Sequence, residues 1–240
     1  LFDINLKEKY HLSVSNNKLK SNNINSVTVD KNNYVWLGSD QGVFYYNYSS
    51  LDDIKQIGSY LTPNDGNKNI FQNIMINDIL IDNSNNKWIG TDQGIFVFDS
   101  NKNKIINSFN KNNSPIPSDN IISLKTTESG EIFILTDYGL ISYNTYNEIP
   151  KPNYSDLKIY PNPIKISNDQ SIIISGLVDK NIIHITSQSG RLVFSDVYEG
   201  GGLVWDLKDN DKIKILPGIY LVFILSEDGS RKLIEKILVI

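Results

Sequence analysis

Three carboxylates recur in matching words: "SDQG" (39–42), "TDQG" (91–94) and "TDYG" (136–139) place Asp40, Asp92 and Asp137 two residues before a glycine. Three acids at one repeat position could line one rim. The simpler reading is that each Asp caps the adjoining glycine turn through its own side chain. The two histidines, His11 in "YHLSV" and His184 in "IIHIT", both sit inside strand-like alternation. A lone His in such a setting is more often a satisfied side chain than a general base. "DNSNN" (82–86) has the acid and amide side chains of a calcium loop, but Lys87 stands at the sixth position and Gln93 at the twelfth, where Gly and Glu are needed. No cysteine is present, so thiol catalysis, thiolate metal sites and disulfides are excluded. Nucleophile elbows, phosphate loops and His-based metal motifs are absent as well. The sequence therefore nominates no catalytic residue, no cofactor and no metal ligand, and a non-enzyme is expected.

Composition narrows the partners. The formal net charge is −4 over 240 residues, without a Lys/Arg cluster, which argues against nucleic acid bound through phosphates. No apolar run approaches the roughly 18 residues of a transmembrane helix. The longest, "ILPGIYLVFIL" (215–225), is interrupted by Pro217 and Gly218. Asn, Lys and Ile are over-used, as in "SNNKLKSNNINS", yet apolar alternation persists beneath, so disorder is not indicated.

The elements that carry these residues repeat. "INSVTVDKNNYVWLGSDQGVFYYN" (24–47) aligns with "INDILIDNSNNKWIGTDQGIFVFD" (76–99) and more faintly with "IISLKTTESGEIFILTDYGLISYN" (121–144). The step is 52 residues from Trp36 to Trp88 and 45 from Trp88 to Phe133, the period of a propeller blade. Each copy reads as strand, polar turn, strand, glycine turn, strand. Gly42, Gly94 and Gly139 mark the second turn, where a backbone with φ > 0 is expected. "DIKQIGSY" (53–60) and "KIINSFN" (104–110) suit outer fourth strands, whereas the third copy offers none before Pro150. Trp36 and Trp88 could be stacking platforms, but a Trp recurring at one blade position is better read as packing between blades. Burying roughly 200 Å² at about 25 cal/mol per Å² contributes up to ~5 kcal/mol gross. "LFDIN" at the N-terminus matches "VFYYN", so the chain is expected to open partway through a blade and to be the C-terminal piece of a longer propeller.

The wording "D…G/N…WIGT…GI" resembles the two-component-regulator propeller repeat, over about residues 20–144. Its positions here are Trp36, Gly38 and Gly42, then Trp88, Gly90 and Gly94, then Gly139. The third copy departs, with Phe133 for Trp and Leu135 for Gly.

"EIPKPNYSD" (148–156) breaks the pattern with two prolines, and a linker is expected over 150–156 between blades at 1–149 and a second domain at 157–240. Seven short apolar segments follow: "LKIYPNP", "SIIISGL", "NIIHITS", "RLVFSDV", "GLVWDL", "GIYLVFIL" and "LIEKILVI". Their spacing, the Ser189-Gly190 and Asp228-Gly229 turn signals, and the lack of helical periodicity predict a small Ig-like β-sandwich. The whole chain is thus read as all-β: about three and a half blades, then a sandwich. Pro161 and Pro163 cannot donate ladder hydrogen bonds and belong at a strand entry or edge. Gly218 is read as a close turn into the longest buried strand, and "KILVI" as an end strand that must be paired.

The ordered set "YPNP", an "SG" hairpin, "GGLVWD", "LPGIYLVFI" and a closing "KILVI" resembles the type IX secretion sorting domain. Its landmarks fall on Tyr160, Pro161, Asn162, Pro163, Gly190, Trp205, Gly218, Tyr220 and Lys236. Propeller repeats followed by this module resemble the PorZ-like surface components of that secretion machinery. The resemblance implies a non-enzymatic, outer-membrane-associated surface protein with a signal peptide upstream. Its implied partners are the sortase, attachment-complex subunits and anionic lipopolysaccharide. Two other readings stand beside it: a secreted cargo protein with a ligand-binding propeller, and the sensor propeller of a hybrid two-component regulator.

Overall fold

The computed structural model describes residues 13–15, 19, 21–47, 71, 74–100, 104–166 and 170–240. His11, the half blade at "LFDIN" and the outer strand expected at "DIKQIGSY" lie outside these residues. Among the described residues every regular element is a β-strand.

The first repeat forms β1 (Ile24–Val29), β2 (Tyr34–Ser39) and β3 (Gly42–Asn47), an antiparallel sheet in that order. The second forms β4 (Ile76–Ile81), β5 (Lys87–Thr91), β6 (Gly94–Phe98) and β7 (Ile105–Phe109). Its sheet order β4-β5-β6-β7 makes a four-stranded blade, with "KIINSFN" as the fourth strand. The third forms β8 (Ile121–Thr126), β9 (Glu131–Thr136) and β10 (Gly139–Asn144), with no fourth strand among the described residues. The repeat is a register as well as a spelling. Trp36 pairs with Thr28 and Tyr45, and Trp88 with Leu80 and Val97, the positions 52 residues on. The first turn of each copy uses a left-handed residue at the matching place: Asn33 at φ 63, Asn85 at φ 61 and Gly130 at φ 82. Asn tolerates that region better than other side chains, which explains why the copies spell it Asn or Gly.

Seven further strands follow: β11 (Lys158–Tyr160), β12 (Ile172–Ser175), β13 (Lys180–Ser187), β14 (Leu192–Glu199), β15 (Gly202–Trp205), β16 (Gly218–Ser226) and β17 (Lys232–Val239). They build a three-stranded sheet, β11-β12-β15, and a four-stranded sheet, β14-β13-β16-β17. Alternate residues of both sheets enclose one core, including Ile172, Ile174, Ile183, Ile185, Trp205, Val222, Ile224 and Ile237. This is the sandwich arrangement of seven strands.

The chain gathers into two compact units. The second comprises Asp82–Ser84, Thr126–Ile132 and Tyr143–Ile240, and the first is the remainder. The core of the first unit joins Trp36 and Val43 to Phe71, Ile76, Ile79, Ile89 and Phe98, so side chains of two blades share it. In the second unit, the stretch expected as a linker is tied to the sandwich. The Lys151 N–H donates to the Leu177 carbonyl at 2.8 Å, and the Tyr154 hydroxyl to Asn181 Oδ1 at 3.0 Å.

Candidate functional site

The blade motif resolves into three kinds of contact. The first is a buried ion pair. Asp30 directly follows β1, and its Oδ1 accepts from the Asn32 and Tyr34 N–H groups at 2.9 and 3.0 Å. Its Oδ2 accepts from the Trp36 indole at 3.0 Å and lies 3.2 Å from the Lys87 ammonium, both side chains fully enclosed. Lys87 also donates to the carbonyls of Asn85 and Ser100 at 2.6 and 2.9 Å, and its Nζ stands 5.5 Å above the Trp36 ring. Burial raises the Asp30 pKa, but the Tyr34 amide, the Trp36 indole and the Lys87 charge outweigh it and hold the carboxyl below its ordinary value. All donors and acceptors of the pair are used in packing, which leaves no group free for proton transfer.

The second contact is steric. A Cβ on Gly38 would lie 2.7 Å from Ile76 Cγ2, and one on Gly90 would lie 2.8 Å from Ile121 Cγ2. These two glycines are grooves into which the next blade's first isoleucine fits. Polar pins accompany them. Asn25 Nδ2 donates to the Ile76 carbonyl at 3.0 Å and Asn77 Nδ2 to the Ile121 carbonyl at 2.7 Å. Asp78 accepts from the hydroxyls of Ser26 and Ser123 at 3.0 and 2.9 Å.

The third is the glycine turn. Gly42, Gly94 and Gly139 have φ of 103°, 107° and 133°, a region that penalises any side chain. The cap comes from a different residue than the carboxylate the sequence favoured. Ser39, Thr91 and Thr136 each donate their hydroxyl to the carbonyl of that glycine, at 3.0, 2.8 and 2.9 Å. Each hydroxyl also accepts the backbone N–H two residues on, at 3.0, 2.9 and 3.2 Å. Asp40, Asp92 and Asp137 are left beside the turn. Hydrogen bonds, chiefly from Ser118, lower the Asp137 pKa. Among the described residues no group of three metal-binding side chains exists. In the stretch 82–86, Asp82 Oδ1 accepts the Ser84 N–H at 2.9 Å and so serves a turn.

Trp36 and Trp88 are 0% and 4% exposed. Trp36 stacks on Tyr45 at 4.8 Å between ring centres, and Trp88 on Phe109 at 5.6 Å. Neither offers a face to a ligand.

In the sandwich, "YPNP" has a specific task. Tyr160 closes β11, and the two prolines flank Asn162, whose amide works as a short strand. Its Nδ2 donates to the Lys236 carbonyl at 2.7 Å, and its Oδ1 accepts from the Leu238 N–H at 3.0 Å. Ile164 continues the edge, donating to the Leu238 carbonyl at 2.9 Å and accepting from the Ile240 N–H at 2.8 Å. The end strand β17 is therefore held by β16 on one side and by residues 162–166 on the other. Trp205 is buried and donates to the Lys208 carbonyl at 2.8 Å. Tyr220 is buried too, its hydroxyl on the Leu216 carbonyl at 2.7 Å. Gly190 lies in the β13–β14 turn. Gly201 is packed against the Glu148 and Ile149 carbonyls, 2.5 and 2.7 Å from where a Cβ would stand, which gives the "GG" pair its steric reason. Gly218 corrects its expectation: a Cβ there would meet only the Tyr220 ring, at 3.8 Å, so no close approach requires glycine.

Several residues that organise the site carried weak signals. Asp30 falls within the "D…W" wording. Lys87 had none, because the matching residues are Val35 and Ile132. Tyr198 is a third case: its hydroxyl donates to the Gly202 carbonyl at 2.6 Å and accepts from Ser84 at 2.9 Å. Burial pushes its pKa far up. An open cleft of about 390 Å³ is lined by Lys151, Lys180 and Arg231 with Asp179, Glu227 and Asp228. Its charges balance, and hydrogen bonds from Ser226 and Ser230 hold Asp228 at about 2. No helix among the described residues is long and apolar enough to cross a membrane.

This geometry, blades joined by a buried Trp, a groove glycine and a glycine turn, agrees with the family model that matches: the two component regulator propeller, over residues 18–41. Among solved structures the chain is similar to PorZ of Porphyromonas gingivalis, described as an essential bacterial surface component of the type-IX secretion system. That likeness has a TM-score of 0.65 and 25% identity, and covers 90% of this chain and 30% of PorZ. The extracellular domain of a hybrid two component system from B. thetaiotaomicron is also similar, with a TM-score of 0.47 and 17% identity over 99% of this chain and 35% of that one. Dimeric latent PorU from P. gingivalis aligns with 46% of this chain and 12% of its own length, at a TM-score of 0.30 and 18% identity. No curated protein matches the sequence significantly. The chain thus spans about a third or less of these structures.

Proposed function

We propose that the chain is part of a PorZ-like, non-enzymatic surface component of a type IX secretion system. In this reading residues 157–240 are a sorting-type C-terminal domain, and the protein is exported and associated with the outer membrane. Its partners are the sortase and attachment-complex subunits, with anionic lipopolysaccharide as a further ligand. The observation that carries the proposal is the likeness to PorZ, which runs over 90% of the chain and so takes in repeats and sandwich together. The side-chain chemistry agrees: Asp30, Lys87, Trp36 and Trp88 of the blades are consumed in packing.

A machine component acts on every client, whereas a cargo's sorting domain serves only its own export. Deletion of the gene in its host is expected to leave many unrelated sorting-domain proteins unprocessed or unattached at once. A secretome that lacks this protein alone would overturn the proposal and assign the chain to cargo.

A further inference from the structure

The second blade carries a fourth strand, whereas among the described residues no strand pairs with the outer side of β10 on the third. On the second blade, β7 lies antiparallel to β6, with Phe109 opposite Ile95, Ser108 opposite Phe96 and Asn107 opposite Val97. There β6 is buried at every residue but Phe96. The matching strand β10 is exposed at every residue but Ile141, and Leu140, the counterpart of Ile95, is 63% exposed against 1%. Phe109 also stacks on Trp88, whereas Phe133, which stands in the place of Trp88, is exposed. A bare strand edge is a template for a further strand, and the C-terminal sandwich guards each of its own. Strands β11 and β15 are only three and four residues long. Asn162 and Ile164 cover β17. At β14, Asn210 works as Asn162 does: its N–H donates to the Val193 carbonyl and its Oδ1 accepts from the Ser195 N–H, both at 3.1 Å. Strand β10 has none of these devices. It is six residues long, Gly-Leu-Ile-Ser-Tyr-Asn, without a charge or a proline to turn a newcomer away.

We propose that β10 is a docking edge, and that an extended segment of another polypeptide pairs with it antiparallel as the blade's fourth strand. The second blade specifies the occupant. Main-chain hydrogen bonds supply the hold, and side chains supply the choice. One aromatic residue of the segment stands opposite Leu140, as Phe109 stands opposite Ile95, and packs on Phe133 as Phe109 packs on Trp88. A segment with proline at the pairing positions is refused, because proline cannot donate to the ladder.

The test uses the whole 240-residue chain and a fluorescein-labelled peptide, "NKIINSFNK" (103–111), which reproduces β7. The expected result is a saturable rise in anisotropy, with amide hydrogen exchange slowed at residues 140–142 and unchanged along β6. Phe109→Ala in the peptide is expected to weaken binding about three- to tenfold, the worth of one aromatic pair. Prolines at both Asn107 and Ser108 of the peptide are expected to abolish it, since neighbouring residues point their N–H groups to opposite sides and one of the two must face β10. Leu140→Lys in the chain is expected to weaken binding while leaving the thermal melt in place, because that side chain is exposed. Absence of saturable binding overturns the proposal. Slow exchange along β10 before any peptide is added overturns it too, because the protein then supplies its own fourth strand. Binding indifferent to the prolines or to Leu140→Lys overturns it equally, because the contact would then lie elsewhere.

Discussion

The first two blades and the third are built to one register but differ at the asparagine, glycine and Trp positions of the repeat. Asn25 and Asn77, which pin the next blade's carbonyl, become Ile122. Gly38 and Gly90, the grooves, become Leu135, and Trp36 and Trp88 become Phe133. Ile122, Phe133 and Leu135 are 46%, 37% and 39% exposed. Meanwhile Gly139, Thr136 and Gly130, which shape the blade's own turns, keep their places and roles. The difference separates two messages that the repeat superimposes. One set of letters folds the blade, and the other attaches its successor. The third blade forms without the second set, so those letters are specifications of an interface.

The largest way to break that interface is to strand its buried charge. Asp30→Ala leaves the enclosed Lys87 ammonium without its counter-charge and is expected to cost about 3–5 kcal/mol in urea unfolding. Pairing Asp30→Ala with Lys87→Met is expected to recover most of the loss, because burial of an uncompensated charge is the main penalty. A double variant as unstable as the single one would show that the hydrogen bonds to Asn32, Tyr34 and Trp36 dominate instead. The same carboxyl sets a pH response. Its folded pKa is depressed, so its stabilisation is complete above the unfolded carboxylate value of about 4 and lost as pH falls through the folded value. Asp30→Asn should flatten the fall in unfolding midpoint below that pH.

The groove gives a smaller and reciprocal test. Gly90→Leu, which writes the third blade's letter into the second, is expected to cost about 1–3 kcal/mol by overpacking, since even a Cβ meets Ile121 Cγ2 at 2.8 Å. Leu135→Gly, the reverse exchange at an exposed site, is expected to stay within about 1 kcal/mol, the ordinary cost of glycine in a strand. Equal effects at both positions would mean that the glycine answers to strand conformation and not to the neighbouring blade. Gly94→Val tests the other set of letters. It is expected to exceed about 1 kcal/mol, because Gly94 holds φ 107° and a Cβ would strike the Phe109 carbonyl.

What the sequence disclosed follows the same division. Strands were readable because alternation and turn residues are local: Asn85 and Gly94 announce their turns without knowledge of any partner. The seven C-terminal segments were readable for the same reason. The agents of contact were harder. Lys87 replaces Val35 of the first copy and Ile132 of the third, so comparison of copies discards it, although it is the counter-charge of Asp30. In "TDQG", hydroxyl and carboxylate are both competent turn caps, and only geometry shows that Thr91 takes the task and Asp92 is left aside. Asn162 gives no hint of its role until β17 is seen to need an edge partner. The strand β16 misled in the opposite direction: its unbroken hydrophobicity reads as full burial, whereas Leu221, Phe223 and Leu225 on its outer face are only half-buried and Ile219 is exposed.

The finest probe of the comparison is the pinning asparagine. Asn77 Nδ2 reaches the Ile121 carbonyl at 2.7 Å and Asn120 Oδ1 at 3.3 Å, both on the next blade's approach. Replacing it by the third blade's residue, Asn77→Ile, removes both donations while keeping a side chain of similar bulk. A part-buried neutral hydrogen bond contributes about 0.5–1.5 kcal/mol net, and the orphaned carbonyl adds a desolvation cost only where water cannot reach it. Because Asn77 is half-buried, water can partly replace the amide, so a loss near 1 kcal/mol is expected in urea unfolding. Ile122→Asn on the third blade places an amide at a side chain that is 46% exposed, and is expected to change stability by no more than about 0.5 kcal/mol. If Ile122→Asn proved as costly as Asn77→Ile, the third blade's face would be covered by a neighbour that requires isoleucine. The substitutions at Ile122, Phe133 and Leu135 would then specify a different contact, and could no longer be read as release from one.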